Sequence, residues 1–275
     1  MNNMDNIRAA AKLLRDADGL LITAGAGMGV DSGLPDFRGD HGFWEAYPPL
    51  ARAGIKFRQI ANSVAFLKDP YLAWGFYGHR LQLYRETVPH EGFAILLAMA
   101  ARMENGGIIF TSNVDGQFQK AGFNAEHIVE CHGSIHHLQC MNACTNDIWP
   151  ADAFVPVIDA ANCQMISELP RCPHCGRVAR PNILMFNDSE WVSVRTDRQD
   201  FRYDAWLKRV KSLVVIEIGA GIDIPSVRRL GEALKVPLIR INPRAPEVRN
   251  LIDIGLPMGA LSGLRLIWEE LKAGE

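Results

Sequence analysis

The chain has 275 residues, a formal net charge of −2 at pH 7 and a hydrophobic content of 48%. These values predict a globular protein with a full core, in one large domain or two unequal ones, and exclude a disordered chain. The near-zero charge gives no electrostatic footprint for nucleic acid. No apolar run approaches the ~20 residues of a membrane-spanning helix, and the N-terminus does not resemble a secretory signal. We therefore expect no membrane partner and a cytoplasmic location.

Strand and helix patterns alternate along the chain. Residues 6–17 have apolar side chains at helical spacing, and an apolar run at 20–23 predicts a strand that ends in a glycine-rich turn. The later predicted elements are a helix at 89–103, strands at 107–111, 128–131 and 213–218, a helix at 226–235 and a strand at 237–241. This alternation predicts an α/β fold with a doubly wound, mostly parallel, Rossmann-like sheet.

Two segments interrupt this alternation. Residues 45–88 are rich in aromatic side chains and helical in pattern, whereas residues 136–180 contain five of the six cysteines. We therefore predict a helical insertion at 45–88, next to the cofactor loop, and a small inserted zinc-binding module at 136–180. The remaining chain, 1–44, 89–135 and 181–275, is assigned to the sheet domain.

The glycine-rich turn after the first predicted strand is suited to a phosphate group. Residues 25–29 read GAGMG. Glycines there let backbone N–H groups approach a phosphate at a helix N-terminus, although glycine clusters also occur in ordinary tight turns. The chain continues as VDSGLPDFRG, in which a glycine and a proline oppose a regular Rossmann helix. We expect a loop that carries Asp36, Phe37 and Arg38 towards the bound group.

Four cysteines form two close pairs. Cys140-x3-Cys144 and Cys172-x2-Cys175 are separated by 27 residues. In a reducing compartment, clustered cysteines are more often metal ligands or catalytic groups than disulfides. Two thiolate pairs are typical of a tetrahedral zinc site, which is structural when the protein supplies all four ligands. The alternatives are four buried free thiols, or a site in which Cys163 replaces one ligand.

In their order along the chain, these motifs resemble those of the sirtuin family. The similar segments are GAGMGVDSGLPDFRG at 25–39, TSNVDG at 111–116, ECHG at 130–133, the two cysteine pairs, RPNI at 180–183, and strand ends at 219 and 241–242. The resemblance implies an NAD-dependent protein lysine deacylase with NAD and Zn²⁺ as cofactors. Such an enzyme transfers the acyl group of an acyl-lysine protein or peptide to ADP-ribose and releases nicotinamide.

The resemblance also implies roles for individual residues. The implied catalytic set is His132, Asn113 and Asp115. His132 would be the general base, acting through the ribose hydroxyls after the acyl oxygen has displaced nicotinamide, and imidazole suits this role near neutral pH. The alternatives are a buried structural histidine or a metal ligand beside His136 and His137. The implied cofactor contacts are Gly25, Ala26, Gly27, Asp36, Phe37, Arg38, Ser112, Asn113, Asp115, Gly219, Gly221 and Asn242.

Asn113 and Asp115 follow a predicted strand, where open α/β sheets bind ligands. On an extended segment the two side chains would share one face. The resemblance assigns them to the nicotinamide and ribose end of NAD. An Asx turn before Gly116 is the alternative interpretation of Asp115.

Tyr77 and Arg80 lie three residues apart within a predicted helix. Side chains at that spacing share a helical face, so a phenol and a guanidinium would meet at one carboxylate. The pair resembles the Tyr-x-x-Arg of sirtuins that remove succinyl or malonyl groups from lysine. The alternative is a core tyrosine beside a solvated arginine.

Two departures from the family pattern leave a second function open. Ser112 stands where the family carries glutamine, and Phe186-Asn187-Asp188 replaces a Phe-Gly-Glu segment that pairs its backbone with the substrate peptide. Asn and Asp can turn where glycine turned. The alternative function is an ADP-ribosyltransferase or NAD glycohydrolase on the same fold. A third hypothesis, a sensor that only binds NAD or ADP-ribose, would not need a base such as His132.

Overall fold

A parallel sheet of six strands organises the larger part of the protein. The computed structural model describes residues 3–36 and 39–274. In spatial order the strands are Ile254–Leu256 (β11), Leu238–Ile241 (β10), Leu213–Ile218 (β9), Gly19–Ala24 (β1), Gly107–Thr111 (β2) and Ile128–Glu130 (β3). All residues of β1 and β9 are buried, because helices cover both faces of the sheet. The predicted doubly wound, parallel fold is therefore confirmed.

Alternate residues of the strands pack against helices on opposite faces. Leu20 and Ile22 of β1 lie in a core with Asn3–Arg15 (α1), Glu91–Ala101 (α7) and Ala260–Ala273 (α11). Leu21 lies in the opposite core with Val194–Leu207 (α9) and Ser226–Ala233 (α10). The predicted helices at 6–17, 89–103 and 226–235 correspond to α1, α7 and α10. Sequence analysis did not predict α9, α11 or β11.

The other elements lie outside this sheet. The helices are Gly39–Ala46 (α2), Pro48–Arg52 (α3), Phe57–Ile60 (α4), Ser63–Lys68 (α5), Pro70–Glu86 (α6) and Gln117–Lys120 (α8), with 3₁₀ helices at Ala26–Ser32 and Ala125–His127. Gly133–Cys140 (β4) pairs antiparallel with Ile148–Pro150 (β5) and Ala179–Ile183 (β8), and Ile158–Asp159 (β6) pairs with Gln164–Met165 (β7). No helix within the described ranges is long and apolar enough to cross a bilayer.

The helical segment and the cysteine-rich segment share one hydrophobic core. Trp74 of α6 is fully buried, and its indole N–H donates to the carbonyl of Ala179 at 2.9 Å. Gly75 lies against the chain at Cys163, where an added Cβ would be 1.9 Å from the carbonyl oxygen. Only glycine allows this approach of α6 to the β6–β7 hairpin. The predicted boundaries of the two inserted modules stay predictions, but the two segments pack as one unit.

A buried ion pair fastens the chain that follows β8. The guanidinium of Arg180 donates twice to the carboxylate of Asp188, each time at 2.7 Å, and both side chains have no exposed surface. Asp188 also accepts from the backbone N–H of Met185 at 3.1 Å. Because a buried charge is tolerated only when it is paired, Asp188 fixes the turn at residues 185–188.

Replacing Asp188 with Asn should lower the free energy of unfolding by about 3 kcal/mol, because it leaves Arg180 as an uncompensated buried charge. Urea denaturation followed by circular dichroism measures this loss. The control is Glu126→Gln, which removes a 3.2 Å ion pair with Arg202. Both of these side chains are partly exposed to solvent, so the loss should be at most about 0.5 kcal/mol. Equal losses in the two variants would contradict the assignment.

Candidate functional site

The loops that follow β1 and β9 touch each other at the carboxyl edge of the sheet. The backbone N–H of Gly25 donates to Ile218 at 3.0 Å, and that of Gly27 donates to Gly219 at 3.1 Å. A Cβ added to Gly27 would lie 2.6 Å from the Cα of Gly219, which itself has a φ of +59°. Glycine is therefore needed on both loops. Between β1 and β9 the strand order reverses direction, and open α/β sheets bind ligands at such a switch point.

A 3₁₀ helix, Ala26–Ser32, follows β1 in place of a regular α-helix. Its far end is held by two neighbouring helices. Asp31 accepts from the backbone N–H of Leu261 at 2.8 Å, and Ser32 accepts from that of His90 at 2.9 Å. The glycine-rich loop is thus fixed at both ends, which suits it to hold a ligand without reorganising.

The chain leaves this 3₁₀ helix as a loop, as the sequence predicts. Gly33 ends the helix with a φ of 85°, and the half-buried Asp36 lies in irregular chain beyond it. Phe37 and Arg38 lie outside the described residues, and their roles stay predictions.

The loop after β2 is tied to the loop after β1. The side-chain amide of Asn113 donates to the carbonyl of Gly25 at 3.0 Å, and Ser112 donates its backbone N–H to Ala24 at 3.2 Å. The chain bends at Asp115, whose carboxylate accepts from the backbone N–H of Gln117 at 2.9 Å. The Asx turn that was the alternative interpretation of Asp115 is therefore present, and the shared face of Asn113 and Asp115 stays a prediction. Both side chains nevertheless belong to the same carboxyl-edge loop.

Asp115 is a buried carboxyl group with an altered pKa. Burial raises its pKa from 3.8 to about 6, and the nearby Glu130 adds to this effect. The hydrogen bond from Gln117 and the charge of Arg80 oppose it. A carboxyl group that titrates close to neutral pH in a ligand-binding edge is a candidate functional group.

His132 follows β3 and is half-buried. Burial lowers its pKa, while a backbone hydrogen bond with Ser112 acts in the opposite direction. The imidazole is therefore neutral near pH 7 and able to accept a proton. Gly133 has a φ of +77°, and a Cβ there would lie 2.0 Å from the carbonyl oxygen of Asn182. Only glycine can join His132 to β4 at this contact with β8.

The neighbouring Cys131, unlike His132, is not suited to a chemical role. Burial raises the pKa of its thiol to about 12. It is therefore protonated at neutral pH and unsuited to nucleophilic chemistry.

Asn242 joins the loops that follow β9 and β10. Its amide N–H donates to the carbonyl of Ala220 at 3.1 Å, and its oxygen accepts from the backbone N–H groups of Arg244 and Ala245, both at 3.0 Å. An added Cβ on Gly221 would meet no atom within 4 Å. The predicted residues Gly219, Gly221 and Asn242 therefore meet at one edge, together with Gly25, Ala26 and Gly27.

Sequence analysis missed Arg228, which also joins these loops. Its guanidinium donates to the carbonyl of Ala220 at 3.2 Å and to that of Ala245 at 2.6 Å. It lies 3.8 Å from Glu217 of β9, which in turn is paired at 2.6 Å with Arg240 of β10. Two charged residues inside otherwise apolar strands were the signal that could have indicated this network.

Tyr77 and Arg80 lie on α6 and are both buried. The Nε and one terminal nitrogen of Arg80 donate to the hydroxyl of Tyr84 at 2.9 and 2.7 Å. The guanidinium carbon is 5.8 Å from the ring centre of Tyr77 and 5.3 Å from that of Tyr84. Arg80 is thus not a solvated arginine. It is held between aromatic rings one turn before it and one turn after it, and Tyr84 is a residue that the sequence analysis did not single out.

The segment at 185–188 retains a turn where glycine would be expected. Asn187 has a φ of +52°, in the left-handed region that asparagine tolerates better than most residues. The backbone N–H of Phe186 donates to Ala61 at 2.9 Å, in a short parallel bridge between Asn62 and Phe186. Asparagine therefore turns here as glycine would, as the sequence analysis suggested.

The four paired cysteines come together in a group that fits a metal ion. The sulfur atoms of Cys140, Cys144, Cys172 and Cys175 all lie within 4.8 Å of one another. The Cys140–Cys175 and Cys144–Cys172 distances are 3.6 and 3.7 Å. Four sulfurs held tetrahedrally at about 2.3 Å from one zinc ion would be about 3.8 Å apart, whereas a disulfide is far shorter. The predicted zinc site is supported with these ligands and without Cys163.

Comparison with known proteins agrees with this geometry. The model of the Sir2 family matches residues 25–216. The chain belongs to the Sir2 family. A protein of Thermus thermophilus named NAD-dependent protein deacylase is 29% identical over 96% of this chain and 94% of its own length. One of the same name from Aquifex aeolicus is 27% identical over 92% of this chain and 95% of its own length.

The fold of the chain is also that of solved Sir2 structures. A Sir2 homolog solved as an NAD complex has a TM-score of 0.69 and 23% identity, covering 96% of this chain and 94% of that one. At this identity the comparison supports the fold rather than individual residues. The sirtuin resemblance of the sequence motifs is therefore confirmed at the level of family and fold.

Purified protein should contain about one zinc ion per chain, measured by inductively coupled plasma mass spectrometry. Cys172→Ser should release the metal and unfold the small sheets, because the remaining ligands no longer close the site. Cys163→Ala is the control, since that thiol is buried but lies outside the tetrad, and it should retain full metal content. A fully folded, metal-free wild-type protein would rule out the site.

Asp115→Asn should make stability less dependent on pH. The folded pKa of about 6 lies above the ordinary value of 3.8, so the native state holds the proton more tightly and loses stability as the pH rises through this interval. The variant should be more stable than wild type by about 2 kcal/mol at pH 8, with the difference vanishing near pH 4. Denaturation at both pH values measures this difference. The prediction fails if Asp115→Asn differs from wild type by the same amount at both pH values.

Proposed function

We propose that this Sir2 family member is an NAD-dependent protein deacylase that acts on acyl-lysine. The observation that carries the proposal is a single edge of the sheet at which the glycine contact of Gly27 with Gly219, the Asn113–Asp115 loop and the neutral His132 occur together. The names of its relatives and their coverage of nearly the whole chain support the same function.

The residues of this edge divide into binding and positioning groups. Gly25, Ala26, Gly27 and Gly219 form the two tightly packed loops, and Gly221 adds open backbone beside them, so that a pyrophosphate would bind along these loops. Asn242 and Ser112 belong to the flanking loops and serve the adenosine and nicotinamide ends. Asp36, Phe37 and Arg38 would follow the first loop towards the reacting sugar.

When bound, NAD supplies the ribose carbon that takes the acyl oxygen as nicotinamide leaves. Asn113 and Asp115 hold the nicotinamide end in this proposal. His132 accepts a proton on its imidazole, and burial suits it to this role because it keeps the ring neutral. Zinc at the cysteine tetrad is structural, since four thiolates leave no position open for water.

We further propose that the preferred acyl group carries a carboxylate, as succinyl and malonyl groups do. Arg80 is a buried guanidinium on the same helical face as Tyr77. Two N–H groups of Arg80 donate to the hydroxyl of Tyr84, and these hydrogen bonds fix the orientation of the guanidinium plane. A planar cation of fixed orientation recognises a carboxylate better than a mobile one, because less side-chain freedom is lost on binding.

The function is tested by incubating the protein with NAD and matched acetyl-lysine, succinyl-lysine and unmodified peptides. Mass spectrometry follows nicotinamide and acyl-ADP-ribose. Nicotinamide release that requires an acylated peptide, together with acyl-ADP-ribose, is the expected result. Equal release without an acylated peptide would assign the chain to NAD hydrolysis or ADP-ribosyl transfer instead.

The acyl preference is tested by Arg80→Met. We expect kcat/KM for the succinyl peptide to fall about 100-fold, as loss of a charge-assisted contact predicts, while that for the acetyl peptide changes at most about threefold. Arg85→Met is the control on the same helix, because its guanidinium donates to the carbonyls of Phe154 and Ala151, and it should leave the succinyl-to-acetyl ratio unchanged. Equal losses on both peptides in Arg80→Met would return Arg80 to a structural role.

A further inference from the structure

Ser226 contacts the imidazole of His132 across two distant parts of the chain. Its hydroxyl oxygen lies 3.3 Å from Nε2 of His132, and the two residues are 94 positions apart in sequence. Ser226 is the first residue of α10, and both residues are half-buried. None of the motifs of the sequence analysis includes this serine.

The helix end that carries Ser226 is held by the same loops that form the proposed cofactor edge. Arg228, two residues further along α10, donates to the carbonyls of Ala220 and Ala245. The first turn of the helix is closed by the bond from the backbone N–H of Arg229 to Pro225 at 2.8 Å. The position of Ser226 is therefore set by the loops that follow β9 and β10.

The chemistry of the two side chains is complementary. In the neutral tautomer with the proton on Nδ1, Nε2 of an imidazole is an acceptor, and a serine hydroxyl supplies the donor. The ring also lies against the backbone of Ser112. His132 is thus held between the loop that follows β2 and the start of α10.

We propose that Ser226 is a positioning residue for His132: in the NAD-free protein its hydroxyl donates to Nε2, which holds the imidazole in place with Nε2 as the proton-accepting atom until a hydroxyl of the cofactor takes the place of the serine. This inference rests on the proposed function for the role of His132 as a base, but the contact itself does not. Through α10, the contact between Ser226 and His132 makes the orientation of the imidazole depend on the loops that would bind the cofactor.

The first test uses the protein without NAD. Nitrogen-15 spectra of the histidine rings distinguish the two neutral tautomers, and the His132 signals are those lost in His132→Ala. Ser226→Ala should shift the Nε2 signal, because the hydrogen-bond donor to Nε2 is gone. Ser226→Thr retains the hydroxyl and should restore it. Ser193→Ala, a serine at the start of α9 that donates to Asp197 at 2.8 Å, should leave it unchanged.

The second test separates positioning from folding. In Ser226→Ala we expect kcat for deacylation to fall about three- to tenfold, as loss of one hydrogen bond predicts. Exchange of labelled nicotinamide into NAD precedes the action of the base and should stay within about twofold of wild type, as should the Kd for NAD. The midpoint of thermal unfolding should not change.

Two results would overturn the proposal. One is unaltered His132 signals and an unaltered kcat in Ser226→Ala. The other is an equal loss of exchange and deacylation with a lower unfolding midpoint, since that combination indicates a structural role alone. If wild-type protein released no nicotinamide in response to acylated peptide, the proposed function would fail, while the spectra of the NAD-free protein would still decide on Ser226.

Discussion

The backbone contact between Gly27 and Gly219 is the constraint on which the functional edge depends. The two loops meet where the strand order of the sheet reverses, and no side chain fits between them. Once this contact is made, Asn113 reaches Gly25 from the next loop, and Asn242 and Arg228 reach Ala220 from the other side. Four loops from different parts of the chain are thereby held as one surface without any contribution from a ligand.

Local patterns account for what the sequence could predict. Strands β1, β2 and β9 are short apolar runs because both faces of a parallel sheet are covered. The cysteine tetrad was predictable because the two cysteines of each pair are close in sequence. Only the contact between the two pairs depends on the fold. By contrast, α9 was missed because it is a largely polar segment. Tyr203 and Trp206 are the apolar side chains among its buried residues, which is too few to give a clear helical pattern.

Contacts between distant or differently spaced residues account for what could not be predicted. Nothing near His132 in sequence indicates Ser226, and nothing near Arg180 distinguishes Asp188 from the other acidic residues. The partner of Arg80 could have been Tyr77 or Tyr84, which lie on one face of the same helix, and the hydrogen bonds favour Tyr84. The shared core of the helical and cysteine-rich segments likewise depends on Gly75, whose close approach to Cys163 has no local signature.

Strand β4 gives the metal site a mechanical role. It begins at Gly133, immediately after His132, and ends at Cys140, so one strand connects the imidazole to the cysteine tetrad. The strand pairs with β8 at both of its ends, with a register shift between Ser134 and Leu138, and with β5 near the cysteine end. A metal bound at Cys140 would hold one end of β4 in place, and His132 precedes the other end. The tetrad would thus contribute to catalysis through the rigidity of the chain that follows His132.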